Sequence, residues 1–274
     1  MPRWLMKICY DGTAYHGWQI QQNGISIQAV LERVIARFAE APVKVVGAGR
    51  TDTGVHAWGQ HAHFDYNGSM RPQQMLLAFR RWLPEDIKVL EIRQVSPELS
   101  ARYQAYERSY LYLLAKRQTP FNRLYTGNIP YLKINMKLMQ EAAQLLLGKH
   151  DFSSFGRANP EVPNRICDIK ELEITETEDC FRFKIRADRF LHNMVRRMVG
   201  TLANISHQGL VPETISAILN DTCPRQNLVI TAPASGLYLM DVKYPAEYFE
   251  LYQPDADKPM QHNEQPHFEV KDEI

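Results

Sequence analysis

The sequence predicts an α+β protein built from two consecutive halves of similar content. In the first half, strand-like stretches alternate with stretches whose apolar residues recur at helical spacing, so helices are expected to pack on one face of a sheet. The second half has a similar mixture of strands and helices. With 274 residues, 45% of them hydrophobic and 23% charged, the chain is long enough for one large or two smaller domains with ample core.

The first half opens with a predicted strand, Arg3–Tyr10, and continues to a helix capped by Ser26. Serine suits this position because its side-chain oxygen accepts a hydrogen bond from an otherwise unpaired backbone N–H. Apolar residues between Ile27 and Phe38 then recur on one helix face. A second helix, Gln73–Trp82, is expected to end before Pro84. Three further strands are predicted at Val43–Val46, Trp58–Phe64 and Ile87–Val95.

The second half begins with Tyr110–Ala115, which is apolar on both faces, as expected of a central strand. A loop containing Pro120 and Pro130 follows. The strands Ile166–Ile174 and Phe181–Ala187 are expected to form a hairpin through an acidic turn. The remaining predicted elements are the helices Leu138–Leu147, Phe190–Ser206 and Pro212–Leu219 and the strand Leu237–Val242.

Charge is unevenly distributed along the chain. Residues 250–274 carry a net charge of −5, which leaves +6 on residues 1–249 although the whole chain carries +1. A moderately basic body is compatible with a polyanionic partner. The acidic tail is rich in Pro, Gln and Asp and has no periodic apolar residues, so it is predicted to be disordered.

Cysteine usage and hydropathy point to the cytoplasm. No apolar run approaches the length of a membrane span, and the first residues lack the apolar core of a signal peptide. The widely spaced cysteines are expected to be reduced thiols, and a zinc knuckle is not indicated. These cysteines are Cys9, Cys167, Cys180 and Cys223.

The segment Gly49–Ala57 is the strongest candidate for a functional site. It places Asp52 in a turn-rich loop between two predicted strands, and loops held by rigid strands are where chemistry tends to sit. Gly54 permits backbone conformations that are closed to other residues. Arg50 can pair with Asp52 and keep it ionised, because a nearby opposite charge favours the charged form. The alternative is a tight turn whose aspartate bonds its own backbone.

Four further segments accompany this loop: Tyr10–Gln19, Arg108–Tyr112, Phe190–Arg196 and the stretch from Thr231 to Leu239. Together the five segments resemble the TruA-type tRNA pseudouridine synthases, in that family's order and at about its spacing. They cover the chain from about residue 4 to residue 245. One short motif is a weak signal, but five in register are specific.

The resemblance implies the pseudouridine synthase fold, in which two ferredoxin- or RRM-like α/β halves join their antiparallel sheets around a central basic cleft. It assigns residues 1–104 to a catalytic N-terminal half and residues 105–249 to a C-terminal half, with the acidic tail outside both. It implies an isomerase that converts uridine to pseudouridine at positions 38–40 in the anticodon stem-loop of tRNA. The family uses no cofactor and no metal, and its members are homodimers.

The resemblance also implies roles for four residues. Asp52 is the expected nucleophile, which opens the path by which uracil leaves C1′ of ribose and rejoins through C5. Arg50 is expected to orient Asp52 or to fill the gap left by the flipped nucleotide. Tyr110 is expected to stack on the target base, and Arg196 to lie near Asp52. A loop-surface role for Arg50, core packing for Tyr110 and a solvated helix face for Arg196 are the alternatives.

A row of cations is a further candidate for RNA contact. Arg182, Lys184 and Arg186 alternate onto one face of a predicted strand, which suits a phosphate backbone or a solvated surface equally well. A non-catalytic tRNA-binding α/β protein is therefore one alternative to the enzyme, and it would leave uridine unchanged. The intact loop around Asp52 argues against it.

Histidines provide the other alternative. His61 and His63 share a strand face close to His56, a pattern that can bind zinc and would suit a metallohydrolase. The other interpretation is two strand histidines beside a polar loop, and His56 belongs to the family's loop motif. The resemblance therefore favours no metal at these residues.

Overall fold

The computed structural model describes residues 1–130, 133–157, 163–220 and 227–249. These residues form a nine-stranded sheet covered by helices. In chain order the strands are β1 (Arg3–Tyr10), β2 (Val46–Gly47), β3 (His56–Asp65), β4 (Ile87–Val95), β5 (Glu107–Ala115), β6 (Gly148–Asp151), β7 (Ile166–Glu176), β8 (Cys180–Ala187) and β9 (Leu237–Lys243).

The last strand of the described residues, β9, joins the two halves of the sheet. The strand order is β4-β1-β3-β9-β5-β8-β7-β6, with β2 paired to β3. Every pairing is antiparallel except the one between β3 and β9. One cross-strand row crosses the joint, since Tyr10 is partnered with Ala57, Ala57 with Leu239, and Leu239 with Tyr110. Cross-strand partners share a face, so these four side chains lie on one side of the sheet.

The α-helices of the described residues are α1 (Ile27–Ala39), α2 (Pro72–Trp82), α3 (Met136–Gln144), α4 (Met194–Gln208) and α5 (Thr214–Leu219). The predicted cap of α1 is confirmed, because Ala29 N donates to Ser26 Oγ at 3.3 Å. Within these residues, no helix has both the length and the apolar character needed to cross a membrane.

Two apolar cores lie on the helix-covered face. The first packs α1 and α2 on β1 and β3, around fully buried Met6 and Phe79. The second packs α3 and α4 on β5 and β8, around Tyr112 and Phe183. Tyr110 packs against both cores. The predicted α+β class, with helices on one side of a mostly antiparallel sheet, is confirmed.

The opposite face carries a charge network centred on Glu107. By strand alternation Glu107 points away from the side that holds Tyr110 and Tyr112. Its side chain is 6% exposed and lies within 3.4 Å of three cations, Lys170, Arg186 and Lys243.

This network decides between the two interpretations of the cation row on β8. Arg186 pairs with both Glu107 and Glu171, and Lys184 pairs with Glu171 at 2.8 Å. Two of the three cations are therefore neutralised by carboxylates. The geometry favours a surface on which cations form ion pairs with carboxylates over a row of cations free to bind phosphate.

The largest error in the predicted elements concerns Val43–Val46. Only Val46, with Gly47, pairs with β3. The preceding backbone is bonded by side chains of α1 instead, because Val45 N donates to Glu32 at 2.9 Å and Gln28 donates to Val45 O at 3.0 Å. The predicted strand is wrong because a neighbouring helix satisfies the same backbone groups.

Two other boundaries moved for local reasons. Helix α4 begins at Met194 rather than Phe190, because Asn193 adopts a left-handed φ of 63° that a helix interior does not allow. Helix α3 stops at Gln144, and Gly148 with φ 88° turns the chain into β6, a strand that was not predicted. Other ends shift by a few residues, as helix and strand termini commonly do.

Some expectations concern residues that the structure does not describe. The acidic tail, residues 250–274, and Cys223 both lie outside the described residues. Cys9, Cys167 and Cys180 are free thiols, as expected.

Candidate active site

Asp52 lies in the loop that leads from β2 into β3. The loop turns back on itself, since Val55 N donates to Asp52 O at 3.1 Å and Gly54 has a φ of 77°. That conformation is strained for residues other than glycine. Val55 is buried in the second core, while the Asp52 side chain remains 21% exposed. The turn therefore fixes the loop and leaves its carboxylate accessible.

The Tyr10–Gln19 segment packs directly against this loop. Gly17 has a φ of 79°, and a Cβ atom there would lie 2.5 Å from Thr51 O. Trp18 N donates to the same oxygen at 3.0 Å. The Tyr10 hydroxyl and Thr51 Oγ1 are 2.8 Å apart. Close approach of the two backbones thus holds the chain immediately before Asp52.

Both carboxylate oxygens of Asp52 are bound by side chains at the start of α4. Arg196 Nη1 donates to Oδ2 at 2.9 Å, and His192 Nε2 lies 3.0 Å from Oδ1. Asn193 caps the helix in the left-handed conformation, which asparagine adopts more readily than most residues. This turn brings His192, before the helix, and Arg196, in its first turn, to one carboxylate.

Arg196 is fixed by three acceptors. Its Nε donates to Ala232 O at 2.8 Å, and its Nη1 donates to Asn193 Oδ1 at 3.2 Å as well as to Asp52. Its side chain is 17% exposed, against 49% for His192. The expectation that Arg196 lies near Asp52 is confirmed, and a solvated helix face does not describe it.

Tyr110 occupies the seam between the two cores. Its ring packs edge-on against Phe190, with ring centroids 5.0 Å apart. Burial and, to a lesser degree, the negative charge of Asp52 raise the pKa of Tyr110 to about 12. Within the described residues its hydroxyl has no hydrogen-bond partner. Tyr112 differs, because it is fully buried and donates to Pro233 O at 2.8 Å, which makes it a core residue.

Arg50 does not pair with Asp52. It is exposed, and in the described part of the chain it forms no ion pair or side-chain hydrogen bond. Both oxygens of Asp52 are already bound by Arg196 and His192. The expected Arg50–Asp52 pair is therefore wrong, and its orienting contact is made by the start of α4.

The histidines considered as metal ligands each have separate partners. His56 is 2% exposed; its Nδ1 accepts from Gly12 N at 3.1 Å, and its Nε2 lies 3.0 Å from Leu124 O. His61 and His63 are also bonded to backbone groups, and burial lowers the pKa of each to about 4. Among the described residues, no group of three potential metal ligands is arranged to hold an ion.

An arginine cluster that the sequence analysis did not single out lies beside His192. Arg157 N donates to His192 O, Arg165 donates to Arg157 O, and Arg197 donates to Gly156 O, all at 3.0–3.1 Å. None of these three arginines pairs with a carboxylate among the described residues. Burial and repulsion from the other two lower the pKa of Arg197. Unpaired guanidinium groups brought together in this way suit a phosphate.

His192 was also missed as a site residue. The signal in the sequence was only partial, because His192 lies four residues before Arg196, but the two side chains meet at Asp52 through the left-handed turn at Asn193 and not through helical spacing. The arginine cluster had no such signal, since its members come from three separate segments.

Comparison with known protein families identifies the family to which a chain with this site belongs. A family model described as tRNA pseudouridine synthase matches residues 7–104 and 142–245, well over half of the chain. The matched residues include the Asp52 loop, the start of α4 and strand β9, which pairs with the strand that carries Tyr110.

The chain belongs to the tRNA pseudouridine synthase family. The resemblance drawn from five sequence segments is confirmed. The family catalyses an isomerisation of uridine in tRNA, so the chain is an isomerase, and the non-catalytic and metallohydrolase alternatives are not favoured.

Individual relatives match this family member over almost their whole length. A tRNA pseudouridine synthase A of Bacteroides thetaiotaomicron is 40% identical over 91% of this chain and 93% of its own. The protein of that name from Bacteroides fragilis is 41% identical over 91% of this chain and 99% of its own. One from Exiguobacterium sibiricum is 39% identical over 89% of this chain and 98% of its own.

A solved structure shows a more distant similarity. A chain in the crystal structure of a Cbf5-Nop10-Gar1 complex is 10% identical, with a TM-score of 0.35, over 86% of this synthase and 48% of that chain. A similarity of this size supports no argument about mechanism.

Proposed function

We propose that this synthase converts uridine to pseudouridine at positions 38–40 in the anticodon stem-loop of tRNA, with Asp52 as the nucleophile. In this reaction the C1′–N1 bond breaks, the uracil turns, and a C1′–C5 bond forms. The base loses one proton at C5 and gains one at N1. Because no electrons are exchanged and no group is donated, the reaction needs no cofactor.

The observation that carries this proposal is the binding of the Asp52 carboxylate. A carboxylate suits attack at a glycosidic carbon, where it also stabilises positive charge that develops on the sugar. Arg196 is fixed by three acceptors and keeps one oxygen, Oδ2, in a defined position. Positioning of this kind is a large part of catalysis by any nucleophile.

Tyr110 and Arg50 are proposed to hold the RNA around the reacting nucleotide. The flat ring of Tyr110 lies at the seam beside Asp52, where an extruded uracil can stack on it. The guanidinium of Arg50 is exposed two residues from Asp52 and can take the place that the flipped base leaves in the helix. RNA is recognised largely by shape and phosphate contact, which the arginine cluster of Arg157, Arg165 and Arg197 suits.

The wider organisation follows the family expectation. We propose that residues 1–104 form the catalytic half and residues 105–249 the supporting half. We also propose that the synthase is a cytoplasmic homodimer whose two subunits share one tRNA. Sedimentation analysis of the free protein tests the dimer, and a monomer at micromolar concentration would contradict it.

The experiment that tests the activity is pseudouridine formation on unmodified tRNA transcripts, mapped to single nucleotides. Wild type is compared with Asp52→Asn and with Asp241→Asn. Asp241 is a matched control, because its carboxylate pairs with Lys7 at 3.2 Å on the opposite face of the sheet. A second set of transcripts carries cytidine at positions 38–40.

The expected result is pseudouridine at positions 38–40 with wild type and Asp241→Asn, and none with Asp52→Asn. Product at other positions would overturn the site specificity while leaving the activity in place. A folded wild-type protein that binds tRNA without modifying it would overturn the enzyme itself.

A further inference from the structure

His192 contacts the reactive carboxylate but has no part in the reaction outlined above. Its Nε2 lies 3.0 Å from Asp52 Oδ1, and because a carboxylate oxygen can only accept, Nε2 carries the proton in this contact. The two partners of Asp52 are held very differently. Arg196 has three acceptors and is 17% exposed, while the His192 ring is 49% exposed and contacts only Oδ1 among the described residues.

This asymmetry identifies the oxygen that reacts. A carboxylate oxygen attacks more readily once a hydrogen bond that it accepts is released. Releasing Oδ2 would break a contact of the fixed Arg196 side chain, whereas releasing Oδ1 requires only that a half-exposed imidazole moves aside. Oδ1 is therefore the oxygen that reaches C1′, and His192 is then left next to the reacting atoms.

The reaction needs a proton acceptor at this same place. Once the C1′–C5 bond has formed, C5 carries both the sugar and its original hydrogen. C5 is then bonded to the carbon that Oδ1 approached. The imidazole of His192, which had been hydrogen-bonded to Oδ1, is accordingly close to the C5 hydrogen.

The other groups around Asp52 are poor acceptors for that proton. A guanidinium group has donors and no acceptor, which excludes Arg196. Burial raises the pKa of Tyr110 to about 12, so its phenol keeps its own proton near neutrality. His56 is buried with both ring nitrogens bonded to backbone groups. An imidazole is the side-chain group best suited to accept and release a proton near neutral pH, and the ring of His192 is half-exposed to water.

We propose that His192 is a further catalytic residue, which releases Oδ1 of Asp52 to the ribose and then accepts the C5 proton at Nε2. This inference rests on the proposed function, because it takes Asp52 as the nucleophile. Once Oδ1 no longer accepts it, the Nε2 proton is lost to water while Nδ1 takes up a proton from water, so the ring stays neutral and Nε2 presents a lone pair.

The atoms balance within the isomerisation. The C5–H bond breaks, and its electron pair forms the C5–C6 double bond while electron density moves to N1. The proton passes to Nε2 of His192, the ring releases its Nδ1 proton to water, and N1 takes up one proton from water. Uridine therefore loses one proton and gains one, and His192 returns to its initial state.

Two substitutions at His192 distinguish its hydrogen bond to Asp52 Oδ1 from its acceptance of the C5 proton. His192→Gln keeps an N–H donor that can bind Oδ1 but has no basic nitrogen, whereas His192→Ala removes both functions. The matched control is His150→Gln, on edge strand β6, where Nε2 is bonded to Leu147 O. Single-turnover rates are measured on tRNA transcripts made with ordinary uridine or with uridine deuterated at C5, after circular dichroism and tRNA binding show that each variant is folded.

We expect His192→Gln and His192→Ala to be slower than wild type by about 10²-fold, the usual size of a general-base contribution. Deuterium at C5 should slow His192→Gln more than it slows wild type, because proton loss becomes the slow step. Added imidazole should restore part of the rate of His192→Ala, and His150→Gln should equal wild type.

Three results would overturn the proposal. A wild-type rate in His192→Gln with a slow His192→Ala would mean that the residue only holds Oδ1. Slow variants without a larger isotope effect would mean that another group takes the C5 proton. Wild-type rates in both would exclude any role. Failure of the proposed function looks different, since Asp52→Asn would then stay active or wild type would form no pseudouridine.

Discussion

Asp52 and Glu107 are carboxylates contacted by cations on opposite faces of one sheet. Glu107 lies within 3.4 Å of three cations and is 6% exposed. Burial opposes its ionisation, but the hydrogen bond from Lys243 and the charge of Arg186 lower the pKa of Glu107. Asp52 has one fixed cation and one half-exposed imidazole, in a loop rather than in a strand.

The difference shows that a cluster of charges is not by itself a site. Glu107 is enclosed by partners from three neighbouring strands, so its contacts connect β5 with β7, β8 and β9. Asp52 keeps an oxygen that can be released without unfolding anything. Glu107 should therefore govern stability and Asp52 reactivity, and each prediction below tests that separation.

The largest effect is expected from Asp52→Asn. Pseudouridine formation should fall by at least about 10³-fold, since removal of a nucleophile commonly costs this much. The amide oxygen of asparagine can still accept from Arg196, so the thermal midpoint should stay within about 4 °C of wild type, the shift that about 1 kcal/mol produces. Single-turnover kinetics and thermal melts give both values. An active variant, or one that melts far lower, would break the separation.

A smaller effect is expected from Arg196→Lys. Lysine keeps the charge but lacks the planar fork that contacts Asp52, Asn193 and Ala232 together. We expect the rate constant for modification to fall by about 10–100-fold, in line with the loss of one positioned electrostatic contact. Affinity for tRNA should change much less, as measured by filter binding. Weakened affinity with an unchanged rate would make Arg196 an RNA-binding residue instead.

Glu107→Gln should show the reverse pattern. The free energy of unfolding should fall by about 1–3 kcal/mol, the range for a lost charged hydrogen bond, while the folded variant keeps its activity. The folded pKa of Glu107 lies below its ordinary value of 4.5, so its contribution is present above that pH and is lost as pH falls through the folded pKa. Urea titrations of both proteins at pH 7 and pH 3 should therefore converge at the lower pH. A constant difference would contradict the ion-pair explanation.

The smallest effect compares two arginines. Arg197 belongs to the cluster beside His192, which has no carboxylate partner within the described part of the chain, whereas Arg186 is paired with Glu107 and Glu171. Arg197→Gln should weaken tRNA binding several-fold and reduce the slope of log affinity against log salt by about 1, and Arg186→Gln should do neither. If the two variants weaken tRNA binding equally, the ion pairs of Arg186 with Glu107 and Glu171 do not prevent Arg186 from contacting RNA.

Sequence patterns predicted the fold well where a segment has a strong pattern of its own. β1 and β4 have the predicted ends, and Ser26 caps α1 as expected. The prediction failed at Val43–Val46, where α1 side chains satisfy the backbone, because that contact depends on tertiary packing. It also missed β6, whose four residues, Gly-Lys-His-Asp, carry no apolar alternation.

The site was predicted in part for a related reason. Asp52 and Arg196 came from motifs, and the contact between them is confirmed. Arg50 was paired with Asp52 because the two are close in sequence, yet the contact is made from α4, more than a hundred residues away. The arginine cluster could not be predicted from the sequence, because no single segment indicates which distant cations will lie close together in the folded protein.

The parallel pairing of β3 with β9 has a consequence for synthesis of the protein. Among the described residues β9 is the last strand in chain order. Without it β5 would be an open edge, β3 would be covered on that side by β2 alone, and the two halves would share no ladder. A ribosome must therefore deliver residue 243 before the seam that holds Tyr110 and Asp52 can close. We expect nascent and truncated chains to be inactive and dependent on protection of their exposed strand edges.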